Sequence, residues 1–393
     1  MGLVKGLLTC IVLAFPALVA SQACSLPASI TLRTNAKLPD PFAFYNGSRV
    51  VSKDDWLCRR DEIGQLFQRL ELGILEAKPP GVSGSLSGNT LTVNVTNGSK
   101  KISFNVPITY PSGAGPFPAI ITVGGSSISA PSGVAVIRYN NDEIAQQIDQ
   151  NSRGKGKFYD LYGSNHTAGA MIAWTWGISR VIDVLETLPN SKIKLSALGV
   201  TGCSRNGKGA MIAGAFEPRI ALTIPQESGS GGAACWRISQ AMKDRGMQVE
   251  TAYNTATGTA WLAKGFEQYM NRTRDLPHDH HLLAAMVAPR GLLILEHSAI
   301  DWLGPESTFG CMKTATKIYS ALGVVDRMGI VQVGAHDHCQ VPASQRPAIE
   351  TFIGRFLTQS TSNATIIVQT DKANNAGFVE ADWVDWAVPT LTP

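Results

Sequence analysis

A serine lies between two glycines in the segment Thr201–Lys208, which reads Thr-Gly-Cys-Ser-Arg-Asn-Gly-Lys. The apolar run Leu195–Val200 precedes this segment, and a run of small residues typical of a packed helix, Gly209–Ala215, follows it. A serine at a sharp strand-to-helix turn is typical of a nucleophile elbow, which exposes the hydroxyl and aims backbone N–H groups at the reacting carbonyl. The usual pattern is G-x-S-x-G, whereas here the second glycine comes one position later, at Gly207. Ser204 is therefore the candidate nucleophile of an acyl transfer.

A serine hydroxyl needs a base that accepts its proton, and two histidines near the C-terminal end are candidates, His336 and His338. Both lie in the loop after the last predicted strand of the sheet. Cys203 precedes Ser204 directly, and Cys339 follows His338 directly. A disulfide between these cysteines would bring Ser204 and His338 together, because bridged Cα atoms lie roughly 4.4–6.8 Å apart. We therefore predict His338 as the base and His336 as a structural neighbour.

The acid that orients the histidine has two candidates. Glu227 follows the predicted strand Ile220–Pro225, and Asp301 follows the next predicted strand, Gly291–Glu296. Glu296 itself lies nearer the end of that second strand. Either strand end could present a carboxylate to the same imidazole. The residues alone leave the choice between Glu227 and Asp301 open.

Predicted strands and helices alternate along the chain, and they would position these residues. Thr90–Val95 and Lys101–Thr109 alternate apolar and polar residues around Asn97-Gly98, which indicates an antiparallel hairpin. Buried strands are predicted at Phe117–Val123, Val134–Arg138 and Gly329–Val333, and helices at Ala168–Leu188, His281–Val287, Thr308–Ala321 and Ala343–Thr358. This order predicts an α/β-hydrolase fold, a three-layer sandwich with a mostly parallel central sheet and an antiparallel N-terminal part. The tail after Thr358 has no clear period and is predicted to be irregular.

The N-terminal end indicates export. Residues 1–20 form an apolar run after Lys5 and end in the small residues Leu18-Val19-Ala20. This pattern is typical of a secretory signal peptide, with cleavage expected between Ala20 and Ala23. Residues 21–393 are then predicted to form one catalytic domain. No later run reaches roughly 18 apolar residues, so we expect no membrane span.

The cysteines and sequons favour the same compartment. Outside the signal peptide there are six cysteines, an even set for which three disulfides are expected in an oxidising environment. Spacing alone leaves about fifteen pairings open. N-glycosylation sequons begin at Asn46, Asn94, Asn97, Asn165, Asn271 and Asn363. The net charge of +4 is small, and no basic stripe occurs. We therefore expect no nucleic-acid partner.

Several sequence blocks together carry a family resemblance. They are Gly202-Cys203-Ser204-Arg205-x-Gly207-Lys208, Trp56-x-Cys58-Arg59-Arg60-x-Glu62-Ile63, Pro225-Gln226-Glu227-Ser228-Gly229, Ala234-Cys235-Trp236-Arg237, Asp279-His280-His281, Asp301-Trp302-Leu303-Gly304-Pro305 and His338-Cys339. From about Cys24 to Phe356, this combination resembles the fungal glucuronoyl esterases, which are secreted carbohydrate esterases.

The resemblance implies hydrolysis of the ester that joins a 4-O-methyl-glucuronic acid side group of glucuronoxylan to an alcohol on lignin. It implies that Glu227 is the acid of a triad with Ser204 and His338. It also implies three disulfides, Cys24–Cys58, Cys203–Cys339 and Cys235–Cys311. No metal or organic cofactor is implied. We expect a monomer acting without a membrane partner.

The resemblance further implies roles for three residues near the serine. Arg205 would donate to the developing oxyanion. A salt bridge with Glu227 or Asp301 is the alternative, and both roles can coexist. Lys208 would hydrogen-bond sugar oxygens, and a solvated helix lysine is the alternative. Trp302 would contact the uronate ring, and packing in the core is the alternative.

One segment departs from the family pattern. Two sugar-contacting positions, a glutamine and a glutamate in relatives, align with Glu250 and Gly258. One hydrogen bond to a ring hydroxyl would then be missing, and another would involve a charged group. The pair of histidines in Asp279-His280-His281 is interpreted as part of a helix cap or turn rather than a metal site, because adjacent histidines cannot easily bind one ion.

Two other functions compete with this interpretation. An esterase of the same fold could act on another plant cell-wall ester, such as an acetyl or feruloyl ester. A carbohydrate-binding protein with decayed catalytic machinery is the rival from another class, and the intact serine, histidine and acid disfavour it.

Overall fold

The computed structural model describes Cys24, residues 26–360 and residues 366–393. The predicted signal peptide, residues 1–20, and the sequon at Asn363 lie outside the described residues. The strands are β1 (Gly81–Ser87), β2 (Thr90–Asn97), β3 (Lys100–Thr109), β4 (Phe117–Val123), β5 (Ala135–Tyr139), β6 (Ile193–Cys203), β7 (Ile220–Gln226), β8 (Gly291–His297), β9 (Met328–Val333) and β10 (Ile367–Thr370).

Helices connect most of these strands. They are α1 (Lys53–Phe67), α2 (Asn141–Ile144), α3 (Lys157–Tyr162), α4 (Ala170–Glu186), α5 (Arg205–Phe216), α6 (Trp236–Asp244), α7 (Ala252–Gly258), α8 (His280–Val287), α9 (Pro305–Ala321) and α10 (Arg346–Ile353). Helix α10 continues as a π turn over Gly354–Thr358. Within the described part of the chain, no helix is both long and apolar enough to cross a membrane.

The strands form one sheet in the order β1-β2-β3-β5-β4-β6-β7-β8-β9-β10. The strand pairs β1–β2, β2–β3 and β3–β5 are antiparallel. The remaining pairs, from β5–β4 to β9–β10, are parallel. A mostly parallel sheet with an antiparallel N-terminal part is the predicted α/β-hydrolase arrangement, and the prediction is confirmed. The carboxyl ends of β6, β7, β8 and β9 meet at one edge, where ligand sites of such sheets form.

Two hydrophobic cores cover the two faces of this sheet. Along β8, Leu292 and Ile294 belong to the larger core, whereas the alternating Leu293 and Leu295 belong to the smaller one. Successive side chains of a strand point to opposite faces, so the two cores lie on opposite sides of the sheet. The larger core is covered by α4, α5, α8 and α9, and the smaller one by α10.

The tail after Thr358 differs from its prediction. We predicted it to be irregular, but Ile367–Thr370 forms β10 and pairs parallel with β9 from Ile367 opposite Gly329 to Thr370 opposite Gln332. The prediction is wrong because a four-residue edge strand is too short to show a period. Beyond β10, the chain turns at Asn374 and Asn375, which both have φ values above +50°.

Five sequons fall on described residues. Asn46, Asn94, Asn165 and Asn271 are exposed, and Asn97 is half-buried at the end of β2. The exposed acceptors are therefore accessible from solvent.

Candidate active site

The sharp turn at Ser204 joins β6 to α5. Ser204 has φ +60° and ψ −129°, and its N–H donates to the carbonyl of Gln226 on β7 at 2.9 Å. Strained backbone of this kind is common at functional sites. A Cβ on Gly202 would lie 2.5 Å from the carbonyl oxygen of Asn206, and one on Gly207 would lie 2.5 Å from that of Gln226. Gly207 is therefore the position where α5 crosses the end of β7 too closely for a side chain. This accounts for a glycine at position 207.

His338 contacts the carboxylate of Glu227. The distance from His338 Nδ1 to Glu227 Oε2 is 2.6 Å, and the Cys339 N–H donates to the same oxygen at 2.8 Å. Glu227 is fully buried just after β7, where its φ of +45° turns the chain away from the sheet. The His338 side chain keeps 30% of its surface exposed. A buried carboxylate bonded to Nδ1 leaves Nε2 as the nitrogen available to a serine hydroxyl.

A disulfide joins the serine turn to the histidine loop. Cys203 and Cys339 are bonded, with their Cα atoms 5.7 Å apart. The other two bonds join Cys24 to Cys58 and Cys235 to Cys311. All three expected pairings are therefore present.

Ser204 and His338 line the same cavity of about 430 Å³. Arg205 lines it as well, from the first position of α5, and its side chain is exposed. The first N–H groups of a helix have no partner within the helix and can donate hydrogen bonds to an oxyanion. Among the ion pairs of residues 26–360, none joins Arg205 to Glu227 or Asp301. The alternative role of Arg205 as a salt-bridge partner is therefore absent from this structure.

The competing histidine and acid lie elsewhere. The His336 side chain is almost fully buried, and its ring nitrogens lie 3.0 and 3.1 Å from the carbonyl oxygens of Asp337 and Val333. Its Nδ1 lies 3.8 Å from Glu227 Oε1. Asp301 is exposed at the start of a short 3₁₀ turn, Asp301–Leu303. The structure thus brings Glu227, and not Asp301, to His338.

Lys208 is buried rather than solvated. Its ammonium group donates to the carbonyls of Ser228 and Ser230 at 2.7 Å each, and to Glu250 Oε2 at 2.9 Å. It also lies 5.2 Å from the ring centroid of Trp261, within the range of a cation–π contact. The three N–H donors of an ammonium group are therefore all used within the protein. The alternative of a solvated surface lysine is wrong.

Trp302 and Glu250 lie together beside this lysine. The Glu250 N–H donates to the carbonyl of Trp302 at 3.0 Å, and the Glu250 side chain is 20% exposed. Trp302 is 44% exposed, and its ring lies edge-on to that of His338 with a centroid distance of 4.8 Å. Trp302 is not packed in the core. Gly258, at the end of α7, is exposed, with open space where a Cβ would lie.

Sequence reasoning missed the role of Gln226. Its side chain accepts from the Ser127 hydroxyl and donates to the carbonyl of Gln340 at 3.1 Å. It therefore links the loop after β4 to the histidine loop, next to Glu227. The signal available was a glutamine at the end of a buried strand, directly before the acid.

Glu296 is a second buried acid beside Glu227. Its Oε1 accepts from the Ser228 N–H at 2.8 Å, the Ser228 hydroxyl at 2.9 Å and the Gly229 N–H at 3.4 Å, while its Oε2 has no partner. Burial, together with the charge of Glu227, raises the pKa of Glu296 to about 7 despite the hydrogen bonds from Ser228 and Gly229. Glu296 thus secures the turn that directly follows Glu227.

A buried ionic network contacts the segment that follows Glu227. The Glu71 carboxylate lies 2.9 Å from Nε2 of both His278 and His280, and His280 Nδ1 donates to the Gly232 carbonyl at 2.7 Å. Burial opposes ionisation of Glu71, but the charge of His280 and the hydrogen bonds of both histidines lower its pKa to about 2. The network fixes the Ser228–Gly232 turns against the core.

The Asp279-His280-His281 segment is a helix cap, as predicted. The Asp279 side chain accepts from the His280 N–H at the start of α8 and from the Trp236 N–H at the start of α6. Near the serine, Cys203, Glu227, His338 and Cys339 have ligand atoms within 4.8 Å of one another. Because the two sulfur atoms are bonded, neither can serve as a thiolate ligand.

Comparison with known proteins identifies the family. The model of the family described as glucuronyl esterase, fungi, matches residues 93–323. The chain is 53% identical over 371 residues to a 4-O-methyl-glucuronoyl methylesterase of Hypocrea jecorina (strain QM6a), covering 94% of this chain and 79% of that protein. It is 49% identical over 370 residues to one of Podospora anserina (strain S), covering 93% of this chain and 77% of that protein.

Solved structures agree. The glucuronoyl esterase catalytic domain from Hypocrea jecorina has a TM-score of 0.90 and 53% identity, with 93% of this chain and 100% of that chain covered. A mutant glucuronoyl esterase from Sporotrichum thermophile in complex with methyl 4-O-methyl-beta-D-glucopyranuronate has a TM-score of 0.91 and 49% identity, with 94% and 100% covered. The match to the family model over residues 93–323, and to these relatives over nearly the whole chain, shows that this protein belongs to the fungal glucuronoyl esterases and is a carboxylic ester hydrolase.

Proposed function

We propose that this esterase hydrolyses the ester between 4-O-methyl-D-glucuronic acid of glucuronoxylan and alcohols of lignin, through Ser204, His338 and Glu227. Two contacts carry the proposal. The fully buried Glu227 lies 2.6 Å from His338 Nδ1. The loop of His338 is also bonded through Cys339 to Cys203, the residue before Ser204. The relative from Sporotrichum thermophile, in complex with a methyl ester of 4-O-methylglucuronate, supports the choice of acyl group.

In the proposed reaction, the Ser204 oxygen attacks the uronoyl carbonyl carbon while His338 Nε2 takes the hydroxyl proton. Glu227 accepts from Nδ1–H, which holds the required tautomer and stabilises the imidazolium ion. The N–H of Arg205 and its guanidinium group donate to the oxyanion. His338 then passes its proton to the departing alcohol oxygen, which leaves an acyl-enzyme. Water, deprotonated by the same imidazole, attacks the acyl carbon and releases the uronic acid and free Ser204.

The groups beside Lys208 are suited to the uronate ring. Trp302 offers an exposed aromatic surface next to His338, and the partly exposed Glu250 can accept from ring hydroxyls. We propose that Lys208 acts mainly by fixing Glu250 and the turn carbonyls, because its three donors already have partners. A sugar oxygen can bind Lys208 only by displacing one of them.

Hydrolysis assays on a panel of esters test the proposal. Benzyl D-glucuronate should be cleaved with a higher kcat/KM than benzyl D-galacturonate, acetyl and feruloyl esters. Uronic acids with a different C4 configuration probe the contacts of Glu250 and Trp302, while the ester bond itself is unchanged. A preference for an acetyl or feruloyl ester would contradict the substrate assignment and favour the rival esterase function.

We also propose that the protein is secreted as a glycosylated monomer after loss of residues 1–20. The disulfides support secretion, and the exposed acceptors at Asn46, Asn94, Asn165 and Asn271 support glycosylation. Mass spectrometry of the protein from culture medium, before and after enzymatic deglycosylation, would give its N-terminus and occupied sites. An N-terminus at Met1 in that material would contradict it.

A further inference from the structure

The segment Phe44–Ser48 forms a tight turn that presents the glycosylation acceptor Asn46 to solvent. The Gly47 N–H donates to the Phe44 carbonyl at 2.9 Å, and the Phe44 N–H donates to the Ser48 carbonyl at 2.9 Å. Gly47 has a φ of +90°, whereas Tyr45 and Asn46 keep negative φ values. This combination is a type I turn followed by a one-residue bulge at a glycine. The first and third residues of the turn, Phe44 and Asn46, line the same groove.

The groove beside this turn encloses about 760 Å³, a volume in the range of small-molecule sites. Its wall combines apolar side chains with polar ones. The apolar members are Leu26, Pro27, Phe44, Leu276 and Pro277, and the polar members include Thr31, Arg33, Asn35 and Asp40. Phe44 is half-buried, so part of its side chain is open to the groove. A wall of this mixed kind suits a sugar, which has apolar C–H faces and polar edges.

The Asn46 side chain has a fixed orientation at the rim of the groove. Its Oδ1 accepts from the Ser48 N–H at 2.9 Å and from the Ser48 hydroxyl at 2.7 Å. Its Nδ2, the atom to which an N-glycan is joined, has no hydrogen-bond partner among the described residues. The first sugar ring of a glycan would therefore start from a defined point next to Phe44.

Among the acceptors on described residues, Asn46 alone has an accessible aromatic ring two positions before it. The residues at that position before Asn94, Asn97, Asn165 and Asn271 are Thr92, Val95, Gly163 and Tyr269. Tyr269 is aromatic, but it is only 9% exposed. The arrangement of ring and acceptor is therefore particular to the turn at Asn46.

We propose that the N-glycan of Asn46 is a structural part of this turn, with its first N-acetylglucosamine ring stacked on Phe44 in the groove. The inference rests on the glycosylation proposed above. The sugar ring has a face of C–H groups, which is attracted to the negative face of an aromatic ring and leaves water on contact. The N-acetyl group and the hydroxyls remain at the edges of the ring, where the polar members of the groove can bind them.

The turn connects two parts of the N-terminal region, so the contact stabilises more than the loop. The Tyr45 N–H donates to Glu62 Oε1 on α1 at 2.6 Å, and the Tyr45 hydroxyl donates to the Thr31 carbonyl at 2.9 Å. Tyr45 thus ties the segment around Thr31 to α1. A sugar bound to the next residue restricts the motion of the turn that holds Tyr45.

A thermal double-mutant cycle isolates the contact between sugar and ring. The native protein, Asn46→Gln, Phe44→Leu and the double variant are secreted from one yeast host, and glycopeptide mass spectrometry gives the occupancy of Asn46. Asn46→Gln should lower Tm by about 2 °C in the native background, the scale of one aromatic contact in a large domain. In the Phe44→Leu background the same change should lower Tm by less than about 0.5 °C, because leucine offers no aromatic face.

Two controls separate this contact from a general effect of glycosylation. Asn165→Gln removes an acceptor from another turn, in which the His166 N–H donates to the Gly163 carbonyl at 3.1 Å and the first residue is a glycine. Its Tm should change by less than about 0.5 °C. Trimming the native protein with an endoglycosidase that leaves one N-acetylglucosamine on each asparagine should also keep Tm within about 0.5 °C, because the first sugar makes the contact.

Equal losses of Tm in the two backgrounds, or no loss in either, would overturn the stacking. An unoccupied Asn46 in a protein that carries glycans at other acceptors would overturn this inference alone. Secreted protein without any N-glycan would contradict the glycosylation proposed above, and the inference with it. The kcat on benzyl D-glucuronate should be unchanged in all four proteins, so the esterase function is judged separately.

Discussion

His338 and His336 are two residues apart, yet they have different surroundings. His338 contacts Glu227 at 2.6 Å and keeps 30% of its side chain exposed, whereas His336 is buried with both nitrogens next to backbone carbonyls. We therefore expect His338→Ala to lower kcat by at least roughly 10³-fold, the scale for loss of a triad base. His336→Ala should lower it by less than about tenfold once unfolded protein is accounted for. Steady-state kinetics of both variants on one ester checks this, and a larger loss at His336 would contradict the assignment.

The same comparison applies to the two acids. Glu227→Gln should lower kcat strongly, because the amide cannot hold the imidazole in the required tautomer and charge state. Asp301→Asn should be close to the native enzyme, since Asp301 is exposed and does not contact His338.

Glu296 makes stability depend on pH. Its pKa is raised from 4.5 to about 7, so the folded state favours the protonated carboxyl. The resulting contribution to the free energy of unfolding is fully present below pH 4.5 and is lost as the pH rises through about 7. Glu296→Gln keeps an acceptor for Ser228 and cannot ionise. We therefore expect this variant to gain stability relative to the native protein between pH 4.5 and pH 8. The gain, measured as the difference between the two Tm values, should be equivalent to about 3 kcal/mol.

Thermal unfolding across that pH range measures this effect, with the exposed Glu350→Gln as the control. A difference in Tm between Glu296→Gln and the native protein that stays constant with pH would show that Glu296 is ionised in the folded state throughout.

At the level of elements, the Cys203–Cys339 bond connects the β6–α5 turn to the loop after β9. It closes a segment with a sequence separation of 136, so the chain-entropy contribution is up to about 5 kcal/mol. Replacing both cysteines with serine should lower Tm. It should also lower kcat of the folded enzyme by tenfold or more, because His338 is no longer held beside Ser204.

The paired control is the double serine variant of Cys24 and Cys58, which lie outside the active site. It should lower Tm while changing kcat by less than about twofold. Assays are made well below both unfolding temperatures. Retention of full activity by the variant of Cys203 and Cys339 would show that the bond serves stability alone.

The elements that the sequence predicts well are those buried on the sheet. β4 was predicted with its observed bounds, Phe117–Val123, and α4 within two residues at each end, because long apolar runs carry a clear period. β1 was missed, since Gly81–Ser87 is rich in glycine and serine and lies at the sheet edge. Gly84 permits its close pairing, because a Cβ there would lie 2.2 Å from the Thr92 carbonyl oxygen.

The site was less accessible to sequence reasoning than the fold. The neighbouring cysteines pointed to His338, but two strand ends could equally supply the acid. The family resemblance implies Glu227, and the structure brings Glu227 to the imidazole and leaves Asp301 at the surface. The partners of Lys208 and the role of Gln226 depend on backbone carbonyls from distant loops, which residue types and spacing do not specify.

On the scale of the whole molecule, the C-terminal tail ties the N-terminal segment to the body of the protein. The Trp386 indole N–H donates to the Leu38 carbonyl at 3.0 Å, and its ring lies edge-on to Phe42 at 5.9 Å and stacks near His281 at 6.5 Å. Trp386→Ala should therefore lower the free energy of unfolding by about 2–4 kcal/mol. Activity per folded molecule should not change.

Denaturant unfolding of the Trp386→Ala variant measures this loss, and Val388→Ala, at a more exposed position of the same tail, should cost less than about 0.5 kcal/mol. Equal small effects at both positions would show that the tail is not part of the cooperative fold.

The central claim for the whole enzyme is that ester hydrolysis passes through the hydroxyl of Ser204. The most direct test is the kcat of the Ser204→Ala variant on benzyl D-glucuronate, with Tm measured in parallel to confirm folding. We predict a loss of at least roughly 10³-fold at a nearly unchanged Tm, because the proposed acyl-enzyme forms on the Ser204 oxygen. Turnover equal to that of the native enzyme would contradict the account.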